Sequence, residues 1–344
     1  MKVDVLIIGA GQAGIAMNYA LRNKGLHTLM IDSNSRIGES WRKRYNSLVL
    51  FTPKEYSSLP GLTMEGNQQD FPTKDEMAAY LEKYVSYFEL PYQLNINVES
   101  VTKKAELFSI VTNHGEFTSK NVIVATGAFQ KPFIPPIAEV SGKDVFHIHS
   151  SEYINPTRLD EGSALVVGGG NSGAQIAVEL ANERNVWLAA SHPFKFLPLR
   201  ILGKSTFYWL EKMGLLYAGI NTKKGKWFYN QKDPIFGGEL KKLIATEKVA
   251  IKPKVVNVKG DEVEFADSSK VQIKNIVWAT GFVPSYEWIR IEGALLSNGK
   301  PNHNRGISPV KGLYFIGLPW QNQRGSSLVC GVGRDAYYIA NHLA

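Results

Sequence analysis

The chain has 344 residues with 39 basic and 31 acidic side chains, a formal net charge of +8, and one cysteine. This length predicts two domains, and a single cysteine excludes an internal disulfide framework and fits a reducing cytoplasm, where we expect the protein. The basic residues are scattered, so the charge does not indicate nucleic-acid binding. No uncharged apolar run reaches the roughly 18 residues of a membrane span, so we expect no integral membrane segment.

A strand–turn–helix pattern begins near the N-terminus. Residues 3–8 are an apolar run that predicts a buried parallel strand, residues 12–24 predict a helix, and residues 27–31 predict a strand ending at Asp32. In dinucleotide-binding folds, three spaced glycines allow a tight turn, close approach of a pyrophosphate, and close helix packing. The turn before the helix has this spacing and reads Gly9, Ala10, Gly11, Gln12, Ala13 and Gly14.

The second half of the chain repeats the pattern. Residues 164–167 predict a strand, residues 172–183 a helix, and residues 186–189 the next strand. One such glycine motif is a weak signal, but two in the same setting predict two dinucleotides and therefore a redox enzyme. The second turn reads Gly168, Gly169, Gly170, Asn171, Ser172 and Gly173.

Each half also contains an Ala-Thr-Gly tripeptide at the end of a later buried strand. Ala125 follows Gly9 by 116 residues, and Ala279 follows Gly168 by 111 residues. This near-equal spacing indicates that each glycine turn belongs to a whole domain of the same type. The two tripeptides are Ala125, Thr126, Gly127 and Ala279, Thr280, Gly281.

The repeats predict an α/β fold with two Rossmann-like dinucleotide-binding domains, the NAD(P)H domain being inserted in the FAD domain. A proline-rich stretch at 131–136 marks the exit from the first domain, and Pro284 marks the return. We expect the FAD-binding domain to span residues 1–155 and 283–344, and the NAD(P)H-binding domain to span residues 156–282.

Local signals predict further elements of the first domain. Thr73 and Glu76 form a capping box that begins a helix running to about Phe88. Residues 92–120 predict short antiparallel strands with a turn at 113–115. The last segment, with a strand at 313–316 and a helix at about 333–343, is expected to complete this domain.

The residue at the end of each unit's second strand indicates which nucleotide binds. Asp32 lies 23 residues after Gly9, where a carboxylate accepts ribose hydroxyls and repels a 2′-phosphate, as FAD or NAD requires. Ser191 lies 23 residues after Gly168 with His192 beside it, and this site has no acid. It therefore favours NADPH, although use of NADH stays open because neither position is arginine.

Several segments resemble the flavin-containing monooxygenase family, and the resemblance covers nearly the whole chain. It is closest to small bacterial members, often labelled cation-associated oxidoreductases, and to the plant enzymes of auxin synthesis. The matching segments are Asp32, Ile37–Trp41, Tyr45–Leu48, Ala125–Gly127 with Pro132 and Pro135, Val140–Gly142 with His149–Tyr153, Leu197–Pro198, and Ala279–Phe282.

The resemblance implies that NADPH reduces FAD and that O₂ adds to the reduced flavin as a C4a-hydroperoxide. One oxygen atom then passes to a small soft nucleophile, an amine or a sulfide, so the implied partners are O₂ and a small molecule. In this family the cofactors carry the reaction, and the protein orients them and excludes water.

Two departures from the family pattern qualify this expectation. Tyr153 stands where Baeyer–Villiger relatives have tryptophan, which argues against a ketone-to-ester reaction. Phe51 stands where larger members place an asparagine near the flavin ring, so some leakage of hydrogen peroxide is expected, to a degree that the sequence leaves open.

The candidate site residues follow from the turns and from the resemblance. No catalytic side chain is assigned, because the flavin carries the chemistry; Phe51 and Thr52 are placed near its ring, and no metal ligands are expected. The candidate FAD residues are Gly9, Gly11, Gln12, Ala13, Gly14, Asp32, Ser33, Gly38, Ser40, Trp41, Leu48, Thr52, Val98, Ala125, Thr126, Gly127 and Gln321. The candidate NAD(P)H residues are Gly168, Gly170, Asn171, Ser172, Gly173, Ser191, His192, Ala279, Thr280 and Gly281.

Three other functions stay open at this point. A flavoprotein disulfide reductase shares the two-domain plan, but it normally needs a cysteine pair and this chain has only Cys330. An NAD(P)H oxidase would reduce O₂ without oxygenating a substrate. A redox sensor, or a partner of an ion transporter, would bind both cofactors without catalysis. The sequence also leaves open whether the chain forms a homodimer.

Overall fold

A computed structural model describes residues 1–137 and 145–343. The first part of the chain contains β1 (Lys2–Ile8), α1 (Gln12–Leu21), β2 (Thr28–Ile31), α2 (Glu39–Arg42), α3 (Lys74–Tyr87), β3 (Tyr92–Gln93), β4 (Val98–Lys104), β5 (Leu107–Thr112), β6 (Gly115–Val124) and β7 (Lys131–Pro132). The middle part contains β8 (Phe146–His149), β9 (Ala164–Val167), α4 (Asn171–Leu180), β10 (Val186–Ala189), β11 (Phe196–Leu197), β12 (Arg200–Ile201), β13 (Lys204–Ser205), α5 (Thr206–Lys212), α6 (Lys223–Tyr229), β14 (Ile235–Phe236), α7 (Glu239–Ala245), β15 (Val249–Lys252), β16 (Val255–Lys259), β17 (Glu262–Phe265), β18 (Lys270–Gln272) and β19 (Asn275–Trp278). The last part contains β20 (Phe282–Val283), β21 (Leu313–Phe315) and α8 (Val329–Ala340), and short 3-10 turns cover Lys54–Tyr56, Pro156–Arg158 and Arg324–Ser327.

The first sheet combines a parallel half and an antiparallel half through one long strand. Strands β3, β2, β1 and β6 run parallel in that order, and β21 joins the far side of β6 at Leu313↔Val122. The earlier half of β6 pairs instead with β5, which pairs with β4. The predicted strands at 92–120 and the returning C-terminal strand therefore share one partner, β6.

The helix boundaries of the first domain follow from local chemistry. Helix α3 begins at the predicted capping box: the Thr73 hydroxyl accepts from the Glu76 amide, and the Glu76 carboxylate accepts from the Thr73 amide. Helices α1, α3 and α8 cover one face of the sheet, where Ile15, Met17 and Ala336 are almost fully buried. The C-terminal helix thus completes the first core, as expected.

The second sheet is entirely parallel, with the strand order β15-β10-β9-β19-β8. Its edge strand β8 pairs with β19 through His149↔Trp278. The predicted boundary at residue 155 assigned this strand to the first domain, and the pairing corrects that assignment. In β8, Ile148 and His149 are buried and Phe146 and His147 are half-buried, and no local pattern reveals this pairing with the second sheet. The other domain bounds stay predictions.

The two linkers between the domains run next to each other. Strand β7, in the predicted proline-rich exit, pairs antiparallel with β20 on the return, and Phe282 lies opposite Pro132. Both glycine turns and both Ala-Thr-Gly segments lie at the carboxyl ends of parallel strands, where α/β sheets bind ligands. This arrangement confirms the predicted fold class of two Rossmann-like units. Over the two described ranges, no helix is both long and apolar enough to cross a membrane.

Candidate functional site

The first and third glycines of the first turn are required by the protein's own packing. Gly9 has a φ of 111°, and a Cβ placed there would lie 2.6 Å from the Ala125 carbonyl oxygen. A Cβ on Gly14 would lie 1.9 Å from the Gly9 carbonyl oxygen. Any side chain at either position would push helix α1 or the Ala-Thr-Gly segment away from the turn.

The middle glycine has the opposite environment. Gly11 has an extended backbone, and a Cβ placed there would meet no atom within 4 Å. Gly11 is also the N-cap of α1, and no side chain caps the first helical amides. Open space above uncapped amides at a helix N-terminus is the geometry that a phosphate group occupies. The turn therefore fits a dinucleotide pyrophosphate.

The second turn reproduces this geometry in the second domain. Gly168 has a φ of 129°, and its added Cβ would lie 2.1 Å from the Ala279 carbonyl oxygen. The Cβ of Gly173 would lie 2.0 Å from the Gly168 oxygen, whereas Gly170 again has no atom within 4 Å. Gly170 is the uncapped N-cap of α4. Each turn thus has one open position, so the second turn fits a second phosphate-bearing ligand.

Asp32 makes a contact that the sequence did not predict. Its Oδ2 accepts a hydrogen bond from the Ala10 amide at 2.6 Å, so the carboxylate also fixes the shape of the glycine turn. Its Oδ1 accepts from the amide and the side chain of Asn34, at 2.8 and 2.9 Å. Asp32 stays partly exposed and Ser33 is exposed, so one lone pair of Oδ2 is left for a ligand, and the contact with ribose hydroxyls stays a prediction.

The corresponding position of the second domain is open and lacks an acid. Strand β10 ends at Ala189, and Ser191 is exposed two residues later. The His192 ring nitrogen Nδ1 lies 3.2 Å from the Pro193 carbonyl oxygen, which it can reach only as a donor. The site therefore has hydroxyl and imidazole groups where the first domain has a carboxylate.

Several other predicted FAD residues have structural roles of their own. Gly38 has a φ of 80° at the start of α2, and an added Cβ would lie 2.7 Å from the Ala78 carbonyl oxygen. Trp41 packs against the first core, and Leu48 packs against the cores of both domains. Ser40 is exposed. Their contacts with a flavin stay predictions.

The surroundings of three more predicted FAD residues, Thr52, Val98 and Gln321, differ from one another. The buried Thr52 hydroxyl lies 2.7 Å from the Ser57 hydroxyl. Val98 begins β4, two residues after Ile96, whose amide donates to the Asp32 carbonyl at 2.9 Å. Gln321 is buried, and its side-chain nitrogen has no hydrogen-bond partner among the described residues. An unpaired buried donor next to the last strand of the FAD-type domain fits a cofactor acceptor.

Asn171 has a structural role that the sequence did not predict, and its contact with NAD(P)H stays a prediction. Its side chain bridges a loop of the second domain, donating to the Pro234 carbonyl at 3.0 Å and accepting from the Phe236 amide at 2.9 Å. The ring of Phe236 stacks on Phe51 with centroids 4.6 Å apart, and Phe207 from α5 lies 5.9 Å from Phe51. Asn171 therefore ties the second glycine turn to an aromatic cluster that contains Phe51.

Arg44 is a candidate site residue that the sequence did not reveal. Its guanidinium lies 4.9 Å from the Phe129 ring centre and 5.4 Å from that of Phe282. These two rings follow the two Ala-Thr-Gly segments and contact each other edge-on. Burial lowers the pKa of Arg44, and it joins no ion pair within the described residues. The sequence shows only a basic stretch after Trp41, and nothing in it indicates that Arg44 contacts rings from two distant segments.

His149, in the segment that resembles the family's identifying sequence, is a structural hydrogen bonder. Its Nε2 lies 3.0 Å from the Gly281 carbonyl oxygen and so carries the proton, while Nδ1 accepts from the Ser151 amide at 3.1 Å. Burial lowers the pKa of His149, which keeps the ring neutral. This histidine fixes the second Ala-Thr-Gly segment. Val140–Gly142 of the same resemblance lie outside the described residues.

Comparisons with known proteins agree with this geometry. The family profile described as pyridine nucleotide-disulphide oxidoreductase matches residues 6–193. An uncharacterized CzcO-like oxidoreductase of Geobacillus kaustophilus is 52% identical over 99% of this chain and 98% of its own length. Probable indole-3-pyruvate monooxygenase YUCCA1 of Arabidopsis thaliana is 29% identical over 98% of this chain and 89% of its own length.

A solved structure shows the same likeness. The flavin-containing monooxygenase of Stenotrophomonas maltophilia superposes with a TM-score of 0.84 at 25% identity, covering 99% of this chain and 98% of that one. The resemblance to flavin-containing monooxygenases is confirmed. The chain therefore belongs to the pyridine nucleotide-disulphide oxidoreductase family and is a flavin-dependent oxidoreductase that uses FAD and NADPH.

Proposed function

We propose that this enzyme is a monooxygenase that transfers one oxygen atom from O₂ to a small soft nucleophile, an amine or a sulfide. The observation that carries the proposal is the pair of open glycine turns at Gly11 and Gly170, one in each sheet. Further support comes from two similar proteins, the probable indole-3-pyruvate monooxygenase YUCCA1 and the flavin-containing monooxygenase of Stenotrophomonas maltophilia.

The first domain fits FAD. Gly11 and the uncapped amides of α1 would hold the pyrophosphate, and Asp32 would accept the ribose hydroxyls. The unpaired side-chain nitrogen of Gln321 would donate to the cofactor. When bound, FAD supplies a ring that accepts hydride from NADPH and then activates O₂.

The second domain fits NADPH. Gly170 and the amides of α4 would hold the pyrophosphate, and Ser191 with His192 would lie near the 2′-phosphate. Arg44, from the first domain, carries a positive charge to the junction of the two units. A largely buried cation without an acidic partner favours an anion, and the phosphates of the nicotinamide cofactor supply one.

Other residues of the junction fix the segments that would border the reaction site. His149 holds Gly281, and Asn171 holds the loop that carries Phe236 against Phe51. A neutral imidazole and a stacked aromatic pair give this region few hydration sites. Such a dry site protects activated oxygen from reaction with water.

Cys330 separates this proposal from a disulfide reductase. It is the one cysteine of the sequence, and burial raises the pKa of its thiol to about 12. Since the thiolate is the reactive form in disulfide exchange, Cys330 stays protonated and unreactive at neutral pH.

We therefore expect the Cys330→Ser variant to keep its flavin and to be reduced by NADPH as fast as the native enzyme. Labelling of Cys330 by iodoacetamide should be slow at neutral pH and should accelerate only as the pH approaches the raised pKa. Fast labelling at neutral pH, or loss of turnover in the serine variant, would instead support thiol chemistry.

Nucleotide preference gives a second test at the end of β10. The Ser191→Arg variant places a guanidinium beside the proposed 2′-phosphate, where a charge-assisted hydrogen bond is expected to lower the KM for NADPH about tenfold. The KM for NADH, which lacks that phosphate, should stay the same. Equal changes for both nucleotides would contradict the placement of the 2′-phosphate at Ser191.

The proposed reaction is tested by the fate of oxygen. The enzyme is mixed with NADPH, isotopically heavy O₂, and either a dialkyl sulfide or a tertiary amine, and both labelled product and hydrogen peroxide are quantified. The proposal expects labelled oxygen in the product. If the peroxide formed equals the NADPH consumed and no tested nucleophile yields labelled product, the enzyme is an NAD(P)H oxidase. The apolar Phe51 favours that alternative.

A further inference from the structure

A short hairpin in the second domain has an unusual tip. Strands β12 and β13 are antiparallel and are joined by Leu202 and Gly203. Both residues are left-handed, with φ of 49° and 74°. Asparagine, aspartate or glycine normally occupies such a two-residue turn, because a bulky side chain is strained there. Leu202 is nevertheless 88% exposed.

The exposed leucine is part of a larger surface, which we call the basic apolar face. The hairpin is fixed to α5 because the Trp209 indole nitrogen donates to the Ile201 carbonyl at 2.9 Å. The end of α5 is fixed to α6 because Lys224 Nζ donates to the Met213 carbonyl at 2.8 Å. The large apolar side chains exposed on this hairpin–helix unit are Ile201, Leu202, Met213, Trp227 and Tyr229.

The same unit carries most of the protein's excess positive charge. Residues 199–232 contain seven basic side chains and one acid, Glu211, which accepts a hydrogen bond from the Tyr56 hydroxyl. This segment therefore contributes +6 to a net charge of +8 for the whole chain. The basic residues are Arg200, Lys204, Lys212, Lys223, Lys224, Lys226 and Lys232.

Charge and apolar exposure together indicate the partner. A symmetric contact with a second copy of the chain would bring two strongly basic faces together, which like-charge repulsion opposes. A soluble polyanion would use the lysines but would leave Leu202 in water. An anionic lipid bilayer uses both features, since its headgroups attract lysine and its boundary region takes up leucine and tryptophan.

We propose that the basic apolar face docks this enzyme on the surface of an anionic lipid bilayer, with Leu202 inserted and the surrounding lysines over the headgroups. The hairpin tip is the most exposed large apolar group of the described residues, so it enters the boundary first. Trp227 is 56% exposed on α6 and would lie at the headgroup level, where indole rings are favoured. The contact is peripheral and reversible.

The test measures sedimentation of the FAD-loaded enzyme with vesicles of phosphatidylcholine alone and of phosphatidylcholine mixed with phosphatidylglycerol. We expect binding to the mixed vesicles, weakening as salt is raised, and little binding to phosphatidylcholine alone. The Leu202→Asn variant suits the left-handed backbone while removing the apolar side chain, and should bind about tenfold more weakly. The Lys223→Gln/Lys226→Gln variant should also bind more weakly.

Leu296→Asn is the matched control, because Leu296 is also an exposed leucine, at 47%, but lies outside the basic apolar face. It should bind vesicles like the native enzyme, and the flavin absorbance of every variant should show that the fold is kept. Sedimentation that depends on the lysines but not on Leu202 would indicate a general polyanion surface and overturn the proposal. Binding that ignores vesicle charge, no binding at all, or a dimer that the Leu202 change dissociates would also overturn it.

Discussion

Replacing Gly11 with valine is expected to give a folded but colourless protein. The Gly11 backbone is extended, with φ of −76° and ψ of −175°, a conformation that valine adopts easily. A Cβ placed there meets no protein atom within 4 Å, so no backbone clash forces the fold to change. The valine methyl groups would instead fill the space above α1 that the FAD pyrophosphate needs. Loss of the charge-assisted hydrogen bonds between the α1 amides and the pyrophosphate, at about 1.5–3 kcal/mol each, predicts that the affinity for FAD falls roughly 100-fold or more.

The measurement is the flavin absorbance per chain after purification, together with thermal unfolding of the apoprotein. The Gly14→Ala variant is the contrasting control, because its Cβ would lie 1.9 Å from the Gly9 carbonyl oxygen and should destabilise the domain itself. A Gly11→Val protein that stays fully yellow would place the FAD pyrophosphate elsewhere.

The equivalent change in the second domain should have the reciprocal effect. Gly170 is also extended, with φ of −87° and ψ of 178°, and has the same open surroundings. Gly170→Val should therefore retain FAD and remain yellow, but NADPH should no longer reduce the flavin at concentrations that saturate the native enzyme. We expect an NADPH affinity roughly 100-fold weaker, for the same physical reason.

Dithionite provides the control for this variant, since it reduces the flavin without a nucleotide site. The Gly170→Val flavin should be bleached by dithionite as completely as the native flavin. If NADPH still reduced it at the native rate, hydride would reach the flavin without the second turn, and the assignment of two separate nucleotide sites would fail.

The sequence was most informative where function depends on backbone sterics. A glycine turn after a buried strand has few alternative structures, so Gly9, Gly14, Gly168 and Gly173 could be interpreted from spacing alone. The first and third positions prove to be fixed by contacts with carbonyl oxygens, and only the middle position is open. These are the roles that the motif assigns to its three glycines in order, and the structure adds the carbonyl oxygens that enforce the first and third.

The sequence was least informative where a residue depends on distant segments. Strand β8 has only four residues and acquires its place by pairing with β19, which is far away along the chain. Arg44 contacts rings from two linkers. The Asn171 side chain hydrogen-bonds to a loop more than 60 residues later in the chain. Such contacts leave no periodic pattern in the sequence. The domain assignment of β8 and the roles of Arg44 and Asn171 could therefore be recognised only from the structure.

The most direct test of the account is anaerobic mixing of the purified yellow enzyme with NADPH while the flavin absorbance is followed. If the two open turns of one chain hold the two cofactors, hydride passes between them within the same molecule. The account predicts that NADPH bleaches the flavin absorbance in a phase that saturates with NADPH and disappears in the Gly170→Val variant. A flavin that stays oxidised with excess NADPH, in a protein that dithionite reduces fully, would contradict it.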